Sequence, residues 1–145
     1  MIAIDTNLLV YAHRPEMPFH QRAREVLAAA VGAPEPVCAP WPCVHEFLAV
    51  VSNPRIFREP TPMGTALDAV RRLLRSLTGG VLAEGEGYLD ALDQIARPAK
   101  LQGAMIHDAR VAALCRFHGV RVLWSADRDF SRFQGISVHN PLTES

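Results

Sequence analysis

The chain has 145 residues, of which 49% are apolar and 21% are charged, with 15 basic and 15 acidic side chains. This length predicts one domain with a sizeable core, and the composition excludes an intrinsically disordered chain. No apolar run reaches the length of a membrane span, so we expect no membrane partner. A formal net charge of zero excludes a uniformly basic protein, so any surface for nucleic acid must be local.

Three cysteines, Cys38, Cys43 and Cys115, are odd in number and widely spaced. The odd number and wide spacing argue against a disulfide framework. The sequence has no Cys-x-x-Cys pair, which argues against structural zinc. We therefore expect a reducing, cytoplasmic location.

The first part of the chain alternates short apolar runs with helical patterns. Asp5 ends the first apolar run, and Asp5 or Thr6 is suited to cap the helix that follows. The segment 41–52 is apolar nearly all round, which predicts a buried helix, and Glu46 lies within it. The predicted elements are a strand over 1–5, a helix ending near Tyr11, a helix over 20–31, a strand over 37–39 and a helix over 41–52.

The second part continues the same alternation. Thr61 and Pro62 are a good N-cap and first-turn pair, and Gly119 is a good C-terminal cap. The predicted elements are a helix from Thr61 to about Leu77 with Leu67 inward, a strand over 81–83, a helix over 88–95 broken near Pro98, a helix over 103–118, a strand over 120–124, a turn over 125–130 and a strand over 136–138.

Strands that alternate with helices from end to end predict an α/β fold. We expect a short, mostly parallel sheet flanked by helices on both faces. No repeat or linker divides the chain, so we expect one domain over residues 1–145, with residues 140–145 as a tail.

Four carboxylates stand out because each interrupts an apolar setting. Asp5 and Asp127 follow apolar strands, and the carboxyl edge of a parallel sheet is where ligands bind. Glu46 and Asp108 lie on helices, and positions 111, 112 and 115 beside Asp108 are small and apolar. Helical spacing turns Arg110 away from Asp108. The sequence therefore predicts an acidic cluster drawn from four separate segments.

Clustered carboxylates repel one another unless some are protonated or a divalent cation neutralises them. A set of oxygen ligands favours Mg²⁺ or Mn²⁺. A carboxylate cage around such ions suits phosphodiester hydrolysis, in which the metal activates a water molecule.

The order and spacing of these motifs resemble the PIN-domain ribonucleases, and more narrowly the VapC toxins of bacterial toxin–antitoxin pairs. The motifs are Asp-Thr-Asn at residues 5–7, Glu46 in a mid-chain helix, "HDARVAAL" around Asp108, and "SADRDF" at residues 125–130. The final stretch "ADRDFSRFQGISVHNPL" is also similar to the usual end of these toxins. The resemblance extends over essentially the whole chain.

The resemblance implies a metal-dependent endoribonuclease that is the toxin of a toxin–antitoxin pair. Asp5, Glu46, Asp108 and Asp127 would be the catalytic metal ligands, with Asp129 as an auxiliary acid. Asn7 and Ser125 would not bind the metal but would hold the carboxylates of the cluster in orientation. The implied partners are an RNA substrate and a VapB-like antitoxin, and the implied cofactor is Mg²⁺ or Mn²⁺.

Further expectations concern surfaces. Arg55, Arg110 and Arg128 are candidates for contacts with RNA phosphates. The helices over 20–31 and 41–52 carry more apolar surface than one small sheet can cover, which predicts a homodimer and an adjacent groove for the antitoxin.

Two other functions remain open from the sequence. One is a PIN-like module that binds RNA without cleaving it, although loss of an acid would then be expected. The other is a phosphatase of the haloacid dehalogenase type, whose chemistry needs Asp-x-Asp where this chain has Asp5 and Asn7.

Overall fold

The computed structural model of the chain describes residues 1–143, and five short strands form its central sheet. All neighbouring strands in it are parallel, in the spatial order β3-β2-β1-β4-β5. The strands are β1 (Ile2–Ile4), β2 (Val37–Pro40), β3 (Gly80–Leu82), β4 (Val122–Trp124) and β5 (Ser137–His139).

Helices connect these strands, as parallel neighbours require. The α-helices are α1 (Thr6–His13), α2 (His20–Gly32), α3 (Trp41–Val51), α4 (Met63–Ser76), α5 (Tyr88–Ala99) and α6 (Ile106–Phe117). Two short 3₁₀-helices, Gly103–Met105 and Arg128–Arg132, lie before α6 and after β4. None of the described helices has both the length and the apolar composition that a membrane crossing needs.

The sheet has a hydrophobic core on each face because successive side chains of a strand point to opposite sides. Ile4 and Ala39 belong to the core shared with α1 to α4. Ala3 and Cys38 belong to the core shared with α5 and α6. The predicted α/β fold, with a short parallel sheet covered on both faces, is therefore confirmed.

The strand order places a topological switch point between β1 and β4. The chain moves outward from β1 to β2 and β3, and it then returns to the other side of β1 to form β4 and β5. Ile4 is paired with Trp124, so the residues that follow these two strands emerge side by side. Ligands of open α/β sheets bind at such a point, outside the carboxyl ends of the strands.

Some predicted boundaries and burials are wrong. Helix α5 continues through Pro98 to Ala99, because a proline in the final turn costs few backbone hydrogen bonds. Leu67 is exposed rather than inward, while Ala66 and Val70 form the buried face of α4. The predicted helix over 103–118 begins as a 3₁₀-helix and becomes α-helical only at Ile106.

Thr61 has a different role from the predicted N-cap, because Pro62 occupies that position. Its hydroxyl accepts a hydrogen bond from Nη1 of Arg14 at 3.0 Å. Arg14 is buried, lies over the Phe57 ring and donates to the Glu59 carbonyl and to Glu16. This arginine therefore fastens the loop before α4 to the end of α1.

The predicted tail begins with packed residues. Leu142 is buried in the core that α1 to α4 share. The last two residues of the predicted tail, 144 and 145, lie outside the described residues.

We expect Gly79→Ala to destabilise the fold. The amide of Gly79 donates to the Val37 carbonyl at 2.7 Å, and a Cβ at position 79 would lie 2.9 Å from that oxygen. Because the obstacle is backbone, the free energy of unfolding should fall by about 1–3 kcal/mol in urea titrations. Gly64→Ala is the matched control, since its Cβ meets open space in α4 and should stabilise by up to about 1 kcal/mol. Equal effects at both positions would contradict the close approach.

Candidate active site

Asp5 is the buried acid at the carboxyl end of β1, where its side chain caps α1. One carboxylate oxygen, Oδ1, accepts from the Thr6 amide at 2.8 Å and from the Cys43 thiol at 3.4 Å. The other, Oδ2, accepts from the Ser125 hydroxyl at 2.7 Å and from the Asn7 amide group at 3.4 Å. Both oxygens are thus held by donors from three separate segments, which fixes the orientation of the carboxylate.

Ser125 links the ends of β1 and β4. Its buried hydroxyl donates to Asp5 and accepts from Nδ2 of Asn7 at 3.2 Å and from the Asp127 amide at 2.9 Å. Asn7 completes the link, because its Oδ1 accepts from the Ala126 amide at 3.2 Å. One donor and two acceptor positions are all that a hydroxyl offers, so Ser125 is saturated.

Glu46 is exposed on α3, which corrects the prediction of a helix buried on all sides. The core is covered by one face of α3, formed by Cys43, Val44, Phe47 and Val51. Oε2 of Glu46 accepts from the Thr6 hydroxyl at 3.1 Å, and that hydroxyl also lies 3.2 Å from the Cys43 carbonyl. Thr6 thus connects the start of α1 to the carboxylate of α3.

Asp108 is partly exposed in the first turn of α6. Its Oδ2 lies 3.4 Å from Nη2 of Arg132, which comes from the 3₁₀-helix after β4. Asp108 therefore has a cationic partner from another segment of the chain. Arg110, in contrast, pairs with Glu84, in line with the prediction that it turns away from Asp108.

Asp127 caps the 3₁₀-helix after β4, where its Oδ1 accepts from the Asp129 amide at 2.8 Å. Asp129 itself is exposed, and it does not line the cleft described below. Its charge is nevertheless close enough to Asp108 to affect the titration of that acid.

One cleft of about 460 Å³ collects the predicted acids at the switch point. Four carboxylates from four segments line it: Asp5, Glu46, Asp108 and Asp127. Asn7, Arg110, Tyr11 and Met17 also line this cleft. Within residues 1–143, no three acidic, histidine or cysteine side chains are close enough to form a ready-made metal site. The acids thus share one cleft without being drawn together into a coordination shell.

The cleft disfavours full ionisation of its acids. Burial raises the pKa of the Asp5 carboxyl, and the charge of Glu46 adds to this rise, while the hydrogen bonds from Ser125, Thr6 and Cys43 oppose it. Burial also raises the pKa of Asp108, as do the charges of Asp127 and Asp129, against the opposing charge of Arg132. Such a cleft attracts cations.

The predicted RNA-binding arginines lie in different places. Arg55 and Arg128 are exposed and do not line the cleft. Arg110 lines the cleft, and its guanidinium is held by Glu84. The structure thus brings only Arg110 of the three to the acids.

Sequence reasoning missed three contributors to the site. Cys43 precedes Glu46 by three residues, so helical spacing could have placed its thiol near the same edge. Thr6 adjoins Asp5 at a helix start, where a hydroxyl often binds nearby groups. Arg132 had no such signal, because a short 3₁₀-helix has no sustained apolar period.

The sequence of the chain is similar to those of known proteins. A model of the PIN domain matches residues 2–136. Ribonuclease VapC48 of Mycobacterium tuberculosis is 30% identical over 139 residues, which cover 96% of this chain and 96% of that protein. Ribonuclease VapC43 of the same organism is 36% identical over 142 residues, which cover 98% and 96%. The chain therefore belongs to the PIN-domain family, in the group of VapC-type ribonucleases, and the resemblance seen in the sequence is confirmed.

Solved structures share the fold. FitAcB from Neisseria gonorrhoeae superposes with a TM-score of 0.73 at 21% identity, over 99% of this chain and 100% of that one. A toxin–antitoxin complex from Klebsiella pneumoniae gives 0.65 at 16% identity, over 97% and 98%. At such identities the likeness is one of fold.

We expect Asp108→Asn to reduce the pH dependence of metal-free stability. The raised pKa of Asp108 means that the unfolded chain releases this proton first as pH rises past about 4. The free energy of unfolding of the wild type should therefore fall until the pH passes the folded pKa. Thermal melts in EDTA from about pH 4 to pH 7 should show a smaller fall for Asp108→Asn.

Asp90→Asn, an exposed substitution on α5, is the control for loss of one charge. The six histidines are the same in all these variants, so differences between variants isolate the acid. A melting temperature of Asp108→Asn well below that of the wild type at pH 7 would show that the Arg132 pair is structural.

Proposed function

We propose that the acidic cleft is the active site of a divalent-metal-dependent endoribonuclease that cleaves RNA phosphodiester bonds. Divalent-metal dependence is general among PIN-domain ribonucleases. The observation that carries the proposal is the meeting of four carboxylates from four segments in one cleft at the switch point of the sheet. Membership of the VapC-type ribonucleases supports RNA as the substrate.

The donor chemistry of the cleft fits Mg²⁺ or Mn²⁺. The side chains of Asp5, Glu46, Asp108 and Asp127 offer only carboxylate oxygens, which hard divalent cations prefer. Asp129, which lies outside the cleft lining, is proposed as an auxiliary acid because its charge acts on Asp108. Because these groups are not drawn together among the described residues, the shell would close when the ion enters. Exposed Glu46 and partly exposed Asp108 have room for this rearrangement, whereas Asp5 is already fixed.

When bound, the cation supplies water activation and neutralises charge on the phosphate that is cleaved. The residues of the chain do the positioning. Ser125, Asn7, Thr6 and Cys43 hold the Asp5 carboxylate in one orientation. Arg132 offsets part of the negative charge at Asp108. These contacts set the positions of the charged groups of the cleft before the substrate binds, which is the preorganisation that catalysis requires.

We also propose that the chain is the toxin of a toxin–antitoxin pair, with a VapB-like antitoxin. The toxin–antitoxin complex among the similar folds supports this. An apolar groove of about 170 Å³ lies between α1, α2, α3 and α4, and Leu9, Leu27, Phe47 and Leu73 line it. A groove of this volume accepts one or two apolar side chains, which a helix with an apolar face would supply.

The proposed homodimer rests on a different helix from the two that were predicted, those over 20–31 and 41–52. Large exposed apolar side chains are not found on α2 or α3 within the described chain, but Met63 and Leu67 on α4 are 47% and 38% exposed. They are four residues apart and share a face. We propose that this face of α4 packs against a second copy.

Two further proposals complete the functional assignment. Arg55, Arg110 and Arg128 are proposed to contact RNA phosphates outside the metal site. The cytoplasm is the proposed location, because Cys38, Cys43 and Cys115 are all buried free thiols, which suits a reducing compartment.

We expect the purified chain to cleave RNA with Mg²⁺ or Mn²⁺, and EDTA to abolish cleavage. Asp108→Asn should lower the rate by at least about 100-fold, since it removes a ligand charge at the metal. Asp90→Asn is the matched control and should keep the wild-type rate. Gel analysis of structured RNAs with time gives the rates.

Two results would contradict this proposal. Cleavage that persists in EDTA would show that the reaction does not need a metal. An equal loss of cleavage rate in Asp90→Asn and Asp108→Asn would show that the loss does not depend on the acids of the cleft. Circular dichroism of each variant separates loss of chemistry from loss of fold.

For the homodimer, we expect sedimentation velocity at high concentration to show two copies. Leu67→Glu should shift the species to a monomer, because a charge buried in an apolar interface is costly. Leu89→Glu is the control, since Leu89 is 73% exposed on α5, away from that face. A wild-type chain that stays monomeric, or a dimer that Leu67→Glu leaves intact, counts against the α4 interface.

A further inference from the structure

The connection between α1 and α2 is a fastened loop beside the cleft. The amide of Met17 donates to the Arg14 carbonyl at 3.1 Å, and the amide of His20 donates to the Met17 carbonyl at 3.3 Å. The His20 ring nitrogen Nδ1 lies 2.7 Å from the Tyr11 carbonyl, which ties the start of α2 back to α1. The loop therefore has a defined shape.

Phe19, in this loop, has an unusual backbone conformation and an exposed side chain. Its φ is +66°, a left-handed conformation that bulky residues rarely adopt, and its side chain is 49% exposed. Both features cost free energy, the first through steric strain and the second through apolar surface in water.

Phe19 is continuous with the acidic cleft through Tyr11. The two ring centroids are 6.0 Å apart, with the planes tilted by 56°. Tyr11 and Met17 both line the cleft, together with the four acids. The half-buried ring of Tyr11 and the exposed ring of Phe19 thus form one aromatic surface that extends outward from the cleft.

We propose that Tyr11 and Phe19 form a subsite on which an unpaired base of the RNA substrate stacks next to the phosphate that is cleaved. This inference rests on the proposed endoribonuclease function. The cation and the arginines attract the phosphates of any RNA equally, so they do not hold a base in place, whereas a stacking surface beside the cleft does so without depending on charge. Every base has a π-face, and stacking on an aromatic side chain supplies such attraction.

The subsite commits the enzyme to single-stranded RNA at the cleavage point. A base in a duplex is stacked between its neighbours, and its faces are not accessible to Phe19. The base that stacks must therefore come from a loop, a bulge or an end. A rigid loop suits this role, because little conformational entropy is lost when the base binds.

Fluorescence of 2-aminopurine tests the contact directly. Short unstructured RNAs with 2-aminopurine at successive positions would be titrated with the inactive Asp108→Asn protein in Mg²⁺. We expect quenching at one position next to the cleavage point. Phe19→Asn in this background should remove the quenching, since asparagine tolerates a left-handed backbone but has no ring. Phe19→Tyr should keep it.

Kinetics of the otherwise wild-type enzyme give an independent readout. Phe19→Asn should raise KM by about tenfold, within the range of a lost base–aromatic stack, and leave kcat within about twofold. An RNA that is abasic at the quenched position should bind both forms equally. Leu89→Asn removes another exposed apolar side chain, one that does not line the cleft, and should change neither constant.

The outcomes separate this subsite from the proposed function. If the wild type does not cleave RNA with Mg²⁺ or Mn²⁺, the endoribonuclease assignment fails. If it cleaves, and Phe19→Asn leaves both KM and quenching unchanged, the stacking subsite alone is wrong. A change in sedimentation with unchanged RNA binding would assign Phe19 to a protein interface and overturn the proposal.

Discussion

The structure depends on keeping one carboxyl group, that of Asp5, buried at the end of β1. An isolated buried carboxylate is costly, and here the cost is offset by four donors to Asp5. They come from the start of α1, from α3 and from the segment after β4. These donors can be supplied only when β1 lies beside β4 and α3 packs against α1. The same hydrogen bonds therefore fix the orientation of the acid and the arrangement of the elements around it.

The other carboxylates are held less tightly, and this difference has a physical reason. A fully preformed cage of four acids would add repulsion to the cost already present at Asp5. In the structure, Glu46 is exposed, Asp108 pairs with Arg132, and Asp127 caps a 3₁₀-helix. The free-energy cost of placing these acids in one cleft is thus spread over several segments, and the hydrophobic cores on both faces of the sheet compensate for it. Rules of local stability are commonly broken at functional sites in this way.

The sequence was sufficient for the fold because its signals are local. Apolar runs that end in Asp5 or in Ser125 predict strands, and the rule for carboxyl ends of parallel strands then brings those ends together. The sequence was insufficient where tertiary contacts determine whether a side chain is buried. Glu46 lies in a helix that is apolar nearly all round, yet the open cleft leaves its side exposed. Arg14 is buried through contacts with residues more than forty positions away, which no periodic pattern reveals.

The acids of the cleft and its outer rim lie on different kinds of structural element. Its acids are fixed by strand ends and helix starts, elements whose positions the sheet determines. Its outer rim, at Tyr11, Met17 and Phe19, lies on α1 and on the loop that leaves it. Loops tolerate substitution better than the elements that they connect. In the proposed subsite, substitutions at this rim change the affinity for unpaired RNA without disturbing the hydrogen bonds that hold Asp5, so chemistry and RNA binding depend on different residues.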